Sequence, residues 1–190
     1  GKGHPAYYQD YAKRLAGEIP GAFYIDQFNN PANPAAHTTT TAPELWRQME
    51  HDVDAIVVGV GSGGTLGGLS RYFAEVSPQT EFVLADPAGS ILADYLDNGH
   101  IGEAGSWLVE GIGEDFVPPL SDFDQVRHAY RIGDAEAFTT ARDLLRKEGV
   151  LAGSSTGTLL AAALHYCRAQ TEPKRVVTFV CDSGNKYLSK

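Results

Sequence analysis

The chain has 190 residues, of which 43% are hydrophobic and 21% are charged. This length and composition favour a globular domain with one well-buried core, or a large piece of such a domain. Fifteen basic and twenty-four acidic residues give a formal net charge of −9, which argues against non-specific binding to nucleic acid or to an anionic membrane. We expect a cytoplasmic protein in which the two cysteines, Cys167 and Cys181, are buried thiols.

The predicted elements begin with a helix that runs from His4 and Pro5 to about residue 16, followed by a short strand over residues 22–25. Residues 29–41 are rich in Asn, Pro and Thr and are predicted to form a loop. Thr41 and Glu44 have the spacing of a capping box, which predicts a helix over 44–51. The remaining predictions are a strand over 55–60, a helix to about 75, a strand over 81–85, a short helix from 90, a loop-rich stretch over 99–122, a helix from Asp134 to Gly149, a helix over 158–169 and a strand over 176–180.

This order of elements predicts the fold class. Apolar strands alternate with helices, which indicates an α/β protein with a parallel sheet and helices on both of its faces. We therefore expect a three-layer architecture. In an open sheet of this kind, ligands bind beyond the carboxyl ends of the strands.

A glycine cluster follows the strand that ends at Val60. Residues 57–68 read VVGVGSGGTLGG, so an apolar strand leads into glycines that open a helix. Glycines let backbone N–H groups converge, and a helix start adds unpaired donors and the positive end of its dipole. Ser62 and Thr65 supply hydroxyl groups, which suit a terminal phosphate monoester better than a bridging pyrophosphate. The cluster predicts a site for a phosphorylated ligand.

The same loop has other interpretations. Gly59, Gly61 and Gly64 match G-x-G-x-x-G, and Asp86 ends the next strand, where dinucleotide-binding folds place the acid that binds a ribose. A tight strand-to-helix turn without a ligand is a third interpretation. At the level of function, an enzyme, a nucleotide-binding domain and a non-catalytic interaction module all remain open on the loop alone.

Five further motifs follow one another in a fixed order. They are QFNNPANP at 27–34 before a threonine run, DP at 86–87 with GSIL, VEGIG at 109–113 with DF, EG at 148–149 with GSSTG, and DSG at 182–184 with KYLS. Together with the glycine loop, this set resembles the cystathionine β-synthase and O-acetylserine sulfhydrylase (cysteine synthase) family of fold-type-II pyridoxal-phosphate enzymes. The resemblance runs from His4 to Lys190 and implies an incomplete tryptophan synthase β-like fold. Residues 1–26 would end the small domain, and residues 27–190 would form most of the large cofactor-binding domain.

The resemblance implies pyridoxal 5′-phosphate as the cofactor. The residues that would hold the cofactor phosphate are Gly61, Ser62, Gly63, Gly64 and Thr65. Ser155 matches the family serine whose hydroxyl meets the pyridine nitrogen. Asp182 follows the last apolar strand at its carboxyl end, where open α/β sheets place their sites, which predicts a position near the ring. Because a hydroxyl does little to keep that nitrogen protonated, the resemblance favours loss of a β-leaving group and addition of a thiol over transamination. A helix cap is the alternative role for Ser155, and a plain turn is the alternative for Asp182.

The resemblance also implies a substrate site. Its residues would be Gln27, Gly111, Ile112, Gly113 and Glu114. The amide of Gln27 would donate to the substrate carboxylate, and the two glycines would let the backbone approach the ligand and move. A loop amide and a glycine-rich turn are the alternatives. Glu114 departs from the tyrosine expected in cystathionine β-synthases, so the acceptor thiol stays open.

No residue of the sequence matches the lysine that would hold the cofactor as a Schiff base. The family places it in a Ser-x-Lys context well before the region that corresponds to Gly1, and none of the lysines here follows that pattern. We therefore expect the C-terminal part of a longer enzyme, which has no catalytic residue of its own and is inactive alone. The expected partners are small amino-acid substrates, the N-terminal part of the same enzyme and a second copy in a homodimer.

The expected reaction is β-replacement on L-serine or an O-activated serine with a thiol, which gives cystathionine or cysteine. The donor is serine, O-acetylserine or O-phosphoserine, and the acceptor is homocysteine or sulfide. No metal site is expected, because the histidines lack the spacing of metal ligands.

Overall fold

The computed structural model describes residues 7–188. The strands are β1 (Ala55–Val58), β2 (Glu81–Pro87), β3 (Val126–Ile132) and β4 (Val176–Val177). They form one parallel sheet in the order β3-β2-β1-β4. The helices are α1 (Tyr8–Glu18), α2 (Ala32–Ala36), α3 (Ala42–Gln48), α4 (Gly64–Val76), α5 (Leu92–Asn98), α6 (Asp134–Glu148) and α7 (Ser154–Ala169), with a π-helical turn at His37–Thr41 and a 3-10 turn at Gly184–Tyr187.

The two faces of the sheet carry separate apolar clusters. On β1, Ile56 and Val58 pack with residues of α3, α4 and α5, whereas Ala55 and Val57 pack with residues of α6 and α7. This alternation follows from the two-residue period of a strand, and it makes β1 buried on both faces. The predicted three-layer α/β class with a parallel sheet is confirmed.

The segment predicted as a loop over 29–41 is helical from residue 32 onward, so the prediction is wrong for most of its length. The hydroxyl groups of Thr38, Thr39 and Thr40 donate to the carbonyl oxygens four residues earlier, at 3.1, 2.9 and 2.6 Å. These side-chain bonds let a polar threonine run continue a helix. The capping box at Thr41 is also wrong, because Thr41 has helical backbone angles and its side chain makes no capping bond.

The short strand predicted over 22–25 is also absent. These residues pair with no strand in the described part of the chain, and Phe23 is 82% exposed. A strand needs a hydrogen-bonded neighbour, which no residue between 7 and 188 supplies here. The first helix ends two residues later than predicted, at Glu18, whereas His4 and Pro5 lie outside the described residues.

Other boundaries also differ from the prediction. The structure adds β3, an edge strand whose Arg127, His128 and Arg131 interrupt the apolar pattern on which the prediction depended. Helix α7 begins at Ser154, four residues earlier than predicted, and β4 is shortened to two residues. Cys167 and Cys181 are both free and exposed, so the expectation of buried thiols is wrong. Between residues 7 and 188, no helix combines the length and the apolar character needed to cross a bilayer.

Candidate cofactor and substrate site

The glycine loop, residues 59–65, leaves β1 and turns into α4. Gly63 caps this 13-residue helix with φ of +86°, a conformation that favours glycine. A Cβ on Gly61 would lie 2.6 Å from the carbonyl oxygen of Gly111, and a Cβ on Gly64 would overlap the Asn33 side chain. The first N–H groups of a helix have no partner inside it. The glycines therefore let the loop pack closely against Gly111 and Asn33, and the first N–H groups of α4 are donors of the kind that suits a phosphate group.

A first cavity of about 470 Å³ opens on this loop. It brings together segments that are more than ninety positions apart in the sequence. Its lining includes every residue predicted for the cofactor, namely Gly61, Ser62, Gly63, Gly64, Thr65, Ser155 and Asp182. The glycine loop and the start of α7 thus face a single space, as contact with one small molecule requires.

Ser155 lies inside α7 and not at its cap. The cap is Gly153, whose backbone N–H donates to the Asp182 carbonyl oxygen at 3.0 Å, and no side chain caps the helix. The alternative role of Ser155 as a helix cap is therefore excluded. Ser155 is only 4% exposed, yet it lines the first cavity.

Asp182 is held by the 3-10 turn that follows it. Its Oδ2 accepts a hydrogen bond from the Tyr187 hydroxyl at 2.8 Å and lies 3.6 Å from Nζ of Lys186. Its Oδ1 is buried without a hydrogen-bond partner and faces Gly153, where a Cβ would collide with it. Burial first, and then the hydrogen bond to Asp182 and its charge, raise the pKa of Tyr187 to about 12. The phenol therefore stays protonated and fixes the carboxylate at neutral pH.

Two residues at the glycine loop were not predicted as site residues. Nδ2 of Asn33 donates to the Ser62 hydroxyl at 3.0 Å and to the Gln27 carbonyl oxygen at 2.7 Å. His37 has Nε2 3.3 Å from the Thr65 hydroxyl and Nδ1 3.0 Å from the Thr41 hydroxyl. Burial lowers the pKa of His37, so the ring is neutral at physiological pH and donates with one nitrogen only.

The signal for these two residues was their spacing. Positions 33 and 37 share a face only if the segment is helical, because residues four apart are neighbours on a helix. Gly68 allows that face to approach α4, since a Cβ there would lie 2.5 Å from the Cβ of His37. The predicted loop over 29–41 concealed this relation.

A second cavity of about 600 Å³ lies beside the first. Its lining includes all of the predicted substrate residues, namely Gln27, Gly111, Ile112, Gly113 and Glu114. Four residues line both cavities, namely Gly61, Ser62, Gly111 and Ile112. The residues predicted for substrate therefore adjoin the residues predicted for cofactor.

Hydrogen bonds from three segments fix the loop over residues 111–115. The Gly113 N–H donates to the Val60 carbonyl oxygen at 2.8 Å, and the Trp107 indole N–H donates to the Ile112 carbonyl oxygen at 3.1 Å. The Glu114 N–H donates to the Ser90 hydroxyl at 3.0 Å. Gly113 has φ of +86°, and a Cβ there would lie 2.9 Å from the Trp107 ring. A glycine is needed at this position both for its conformation and for space.

Asp86 does not serve the site that the dinucleotide interpretation requires. Its side chain is fully buried, and its Oδ2 accepts a hydrogen bond from the Ala93 N–H at 2.9 Å in the first turn of α5. Burial raises the pKa of Asp86 to about 6. The carboxylate is thus buried inside the protein, where a ribose hydroxyl cannot reach it.

The fold and the two cavities define a class: an α/β protein in which a glycine loop at the carboxyl end of a parallel sheet lines one cavity, with a second cavity beside it. The family described as "Pyridoxal-phosphate dependent enzyme" matches residues 2–182, and the chain belongs to this family. Pyridoxal phosphate is the family's cofactor.

Similar proteins narrow the class within that family. The chain is 40% identical over 186 residues to "Cystathionine beta-synthase" of Apis mellifera, covering 98% of this chain and 36% of the relative. It is 39% identical over 179 residues to "Cysteine synthase" of Helicobacter pylori, covering 94% of this chain and 56% of the relative. A crystal structure of O-acetylserine dependent cystathionine beta-synthase from Helicobacter pylori matches with a TM-score of 0.84 at 39% identity, covering 94% of this chain and 56% of that one.

These matches confirm the resemblance to the cystathionine β-synthase and cysteine synthase enzymes. They also show that the chain spans only 36% to 56% of the length of these relatives. The roles of individual site residues stay predictions.

Proposed function

We propose that this chain is the C-terminal part of a pyridoxal-phosphate enzyme that catalyses β-replacement on L-serine or an O-activated serine with a thiol. One observation carries the proposal: the glycine loop, Ser155 and Asp182 line one cavity, and the predicted substrate residues line the cavity that adjoins it. In the reaction the Cβ–O bond breaks and a Cβ–S bond forms. The thiol proton leaves with the oxygen leaving group, as water from serine or as the free acid from an O-acyl or O-phosphoserine.

The cofactor phosphate would be bound by the main-chain N–H groups of residues 61–65 and by the hydroxyls of Ser62 and Thr65. Asn33 and His37 hold those two hydroxyls in place. When bound, pyridoxal phosphate withdraws electrons from the α-carbon of the amino acid. Ser155 would meet the ring nitrogen with a neutral hydroxyl, which leaves that nitrogen without a carboxylate to keep it protonated.

The substrate carboxylate would be bound by the side-chain amide of Gln27, which offers two N–H donors without a charge. Gln27 is exposed and lines the second cavity. The loop over 111–113 would close the backbone around the amino acid and exclude water from it.

The lysine and the rest of the small domain would come from an N-terminal segment outside these 190 residues. The part of the relatives that this chain does not cover supports this. Exposed surface near the start of the chain supports it as well. Helix α1 buries no residue, and the apolar side chains of Phe23 and Ile25 are 82% and 64% exposed. Such surfaces suit burial against further chain. A homodimer and the cytoplasm are proposed as well, the latter because exposed free thiols suit a reducing compartment.

A binding experiment on the chain alone tests the cofactor site. The chain is titrated with pyridoxal phosphate, with pyridoxal and with NADH, and binding is followed by equilibrium dialysis. We expect pyridoxal phosphate to bind and pyridoxal to bind much more weakly, because the loop recognises the phosphate. Preferential binding of NADH would favour a nucleotide-binding domain, and binding of none of the three would favour an interaction module.

A reconstitution experiment tests the missing lysine. The chain is mixed with the part of the Helicobacter pylori relative that it does not cover, in the presence of pyridoxal phosphate, and the mixture is reduced with borohydride. We expect mass spectrometry to find the cofactor on the added part. Before reduction, we expect the mixture to form a thioether and release acetate when O-acetylserine and L-homocysteine are supplied. A reconstituted complex that carries the cofactor but replaces no leaving group would contradict the proposed reaction.

A further inference from the structure

One of the sequence motifs has no role in the proposed function. Residues 86–91, here called the Asp-Pro turn, lead from the end of β2 to the start of α5. None of these six positions lines either cavity. The polar residues Asp86 and Ser90 are nevertheless buried there, with exposed fractions of 0% and 7%. Because buried polar side chains have partners, the contacts of this turn indicate what it does.

Hydrogen bonds fix the Asp-Pro turn to the sheet and to α5. The Ala88 N–H donates to the Ile132 carbonyl oxygen, at the end of β3, at 2.9 Å. On the other side of the turn, Oδ2 of Asp86 accepts from the Ala93 N–H in the first turn of α5, also at 2.9 Å. The turn is therefore a firm support beside the carboxyl ends of two strands.

The stretch over residues 105–114, here called the cavity loop, meets the Asp-Pro turn at both of its ends. At its start, the Gly105 N–H donates to the Gly89 carbonyl oxygen at 2.8 Å. At its end, the Glu114 N–H donates to the Ser90 hydroxyl at 3.0 Å, and that hydroxyl donates to the Glu114 carbonyl oxygen at 3.2 Å. Much of the lining of the second cavity comes from the residues between these ends.

The cavity loop depends on other segments for its conformation. It contains no helix or strand between residues 105 and 114, and Gly111 and Gly113 both have φ of +86°. Glycines leave a backbone many conformations, so bonds to neighbouring segments decide which one is adopted. Near these glycines such bonds come from the Val60 carbonyl oxygen and from Ser90. The Val60 bond is main chain and survives a side-chain substitution, whereas the Ser90 hydroxyl can be removed by one.

We propose that Ser90 is a positioning residue that holds the cavity loop in the conformation that binds the amino-acid substrate, although Ser90 itself touches neither cavity. A loop that is fixed before binding loses less conformational freedom when the substrate arrives, which raises affinity without a new contact. The inference rests on the proposed function, because it takes the second cavity as the amino-acid site. It gives the Asp-Pro turn a role at that site.

The test compares Ser90→Ala with the unsubstituted protein in the complete holoenzyme, with O-acetylserine as donor and L-homocysteine as acceptor. We expect KM for the donor to rise about tenfold and kcat to change by less than about twofold, since the variant loses binding and not chemistry. Amide hydrogen exchange at Glu114 should become about tenfold faster. The dissociation constant for pyridoxal phosphate should stay the same, because β1 and α4 hold the glycine loop.

Ser77→Ala is the matched control. Ser77 is 1% exposed, and its hydroxyl accepts from the Thr80 hydroxyl at 2.8 Å, just beyond the end of α4. The variant therefore loses a buried serine hydroxyl of the same kind, and it lines neither cavity. We expect a comparable loss of stability, with KM for the donor and exchange in the cavity loop unchanged.

Gly89→Ala tests the other end of the cavity loop. Gly89 has φ of +111°, and a Cβ there would lie 2.9 Å from the Ser106 carbonyl oxygen, so the loop must move away from the turn. We expect faster exchange at Gly105 and a rise of about tenfold in KM for the donor. Gly99→Ala is its control, because Gly99 also has a positive φ, of +72°, but nothing lies within 4 Å of its Cβ.

Three results in an enzyme that catalyses β-replacement would overturn the inference. The first is Ser90→Ala with unchanged exchange at Glu114, which would mean that the hydroxyl does not hold the loop. The second is faster exchange with unchanged KM, which would mean that the loop position does not affect substrate binding. The third is an equal loss of affinity for donor and cofactor, which would indicate general destabilisation.

Failure of the proposed function gives a different result. In that case the unsubstituted holoenzyme replaces no leaving group, whatever exchange rate is measured at Glu114, and the inference falls with the proposed function.

Discussion

The two cavities are built in different ways. The first contains the glycine loop and the start of α7, and the side chains that these two segments add are mainly hydroxyls, two of which are held by Asn33 and His37. The second is more exposed and is lined by side chains that differ in charge and size, among them Gln27, Trp107 and Glu114. Main-chain donors cannot be altered by a substitution without moving the fold, whereas side chains can. The first cavity therefore suits a constant cofactor, and the second suits a variable substrate.

The largest effect on cofactor binding is expected from Gly61→Ala in the glycine loop. The new Cβ would lie 2.6 Å from the Gly111 carbonyl oxygen, so the loop must move away from its partner and lose its aligned donors. We expect the dissociation constant for pyridoxal phosphate to rise about a thousandfold, as measured by equilibrium dialysis. Gly17→Ala is the control, because nothing lies within 4 Å of that Cβ. Equal binding by the two variants would mean that the loop is not the phosphate site.

A pH experiment examines Asp86, the buried acid near the carboxyl end of β2, which lines neither cavity. Burial raises the pKa of Asp86 to about 6, above its unfolded value of 3.8. The folded state therefore keeps a proton that the unfolded state has lost, so this group costs stability progressively as pH rises from about 4 to about 6. Asp86→Asn should remove that dependence and raise the free energy of unfolding at pH 7 by about 2–3 kcal/mol.

Urea denaturation at pH 4 and at pH 7 measures the effect of Asp86→Asn. Asn can still accept the hydrogen bond from Ala93, so the cap of α5 is kept. Asp143→Asn is the control, because its carboxylate is near the surface and pairs with Lys147. If Asp86→Asn were less stable than the parent protein at pH 7, the ionised carboxylate of Asp86 would not be destabilising.

A smaller effect is expected from Thr65→Val, which removes one hydroxyl while it keeps the side-chain shape. The loss of one hydrogen bond to a charged group predicts about tenfold weaker binding of pyridoxal phosphate. Binding of pyridoxal, which has no phosphate, should change little. Thr171→Val, in an exposed turn, is the control. If both ligands lost affinity equally, the hydroxyl would not act on the phosphate.

The smallest effect is expected at the second cavity, on KM for the amino-acid donor. Trp107→Phe removes the indole donor to the Ile112 carbonyl oxygen and loosens the loop over 111–113. In the complete holoenzyme we expect KM for the amino-acid donor to rise about threefold, with cofactor affinity unchanged. Trp46→Phe is the control, because Trp46 packs against the core and lines neither of the two cavities. A change in cofactor affinity for Trp107→Phe would show that the two cavities are not independent.

The sequence was sufficient to predict the fold and the candidate site where local pattern and tertiary structure agree. The apolar run before the glycine loop forms a strand because both faces of β1 are covered, and Gly63 supplies the backbone conformation that starts α4. The sequence was insufficient where long-range contacts decide. His37 reaches Thr65 only because Gly67 and Gly68 let two helices approach closely, and β3 is held by pairing with β2 despite its charged residues. Neither relation has a signature within a short window of sequence.

A crystal structure of the complete holoenzyme with bound pyridoxal phosphate would locate both the phosphate and the ring. We expect phosphate oxygens about 2.7–3.2 Å from main-chain nitrogens of residues 61–65 and the ring nitrogen at the same distance from the Ser155 hydroxyl. A cofactor whose phosphate contacts another segment, or whose ring nitrogen faces away from α7, would contradict this expectation.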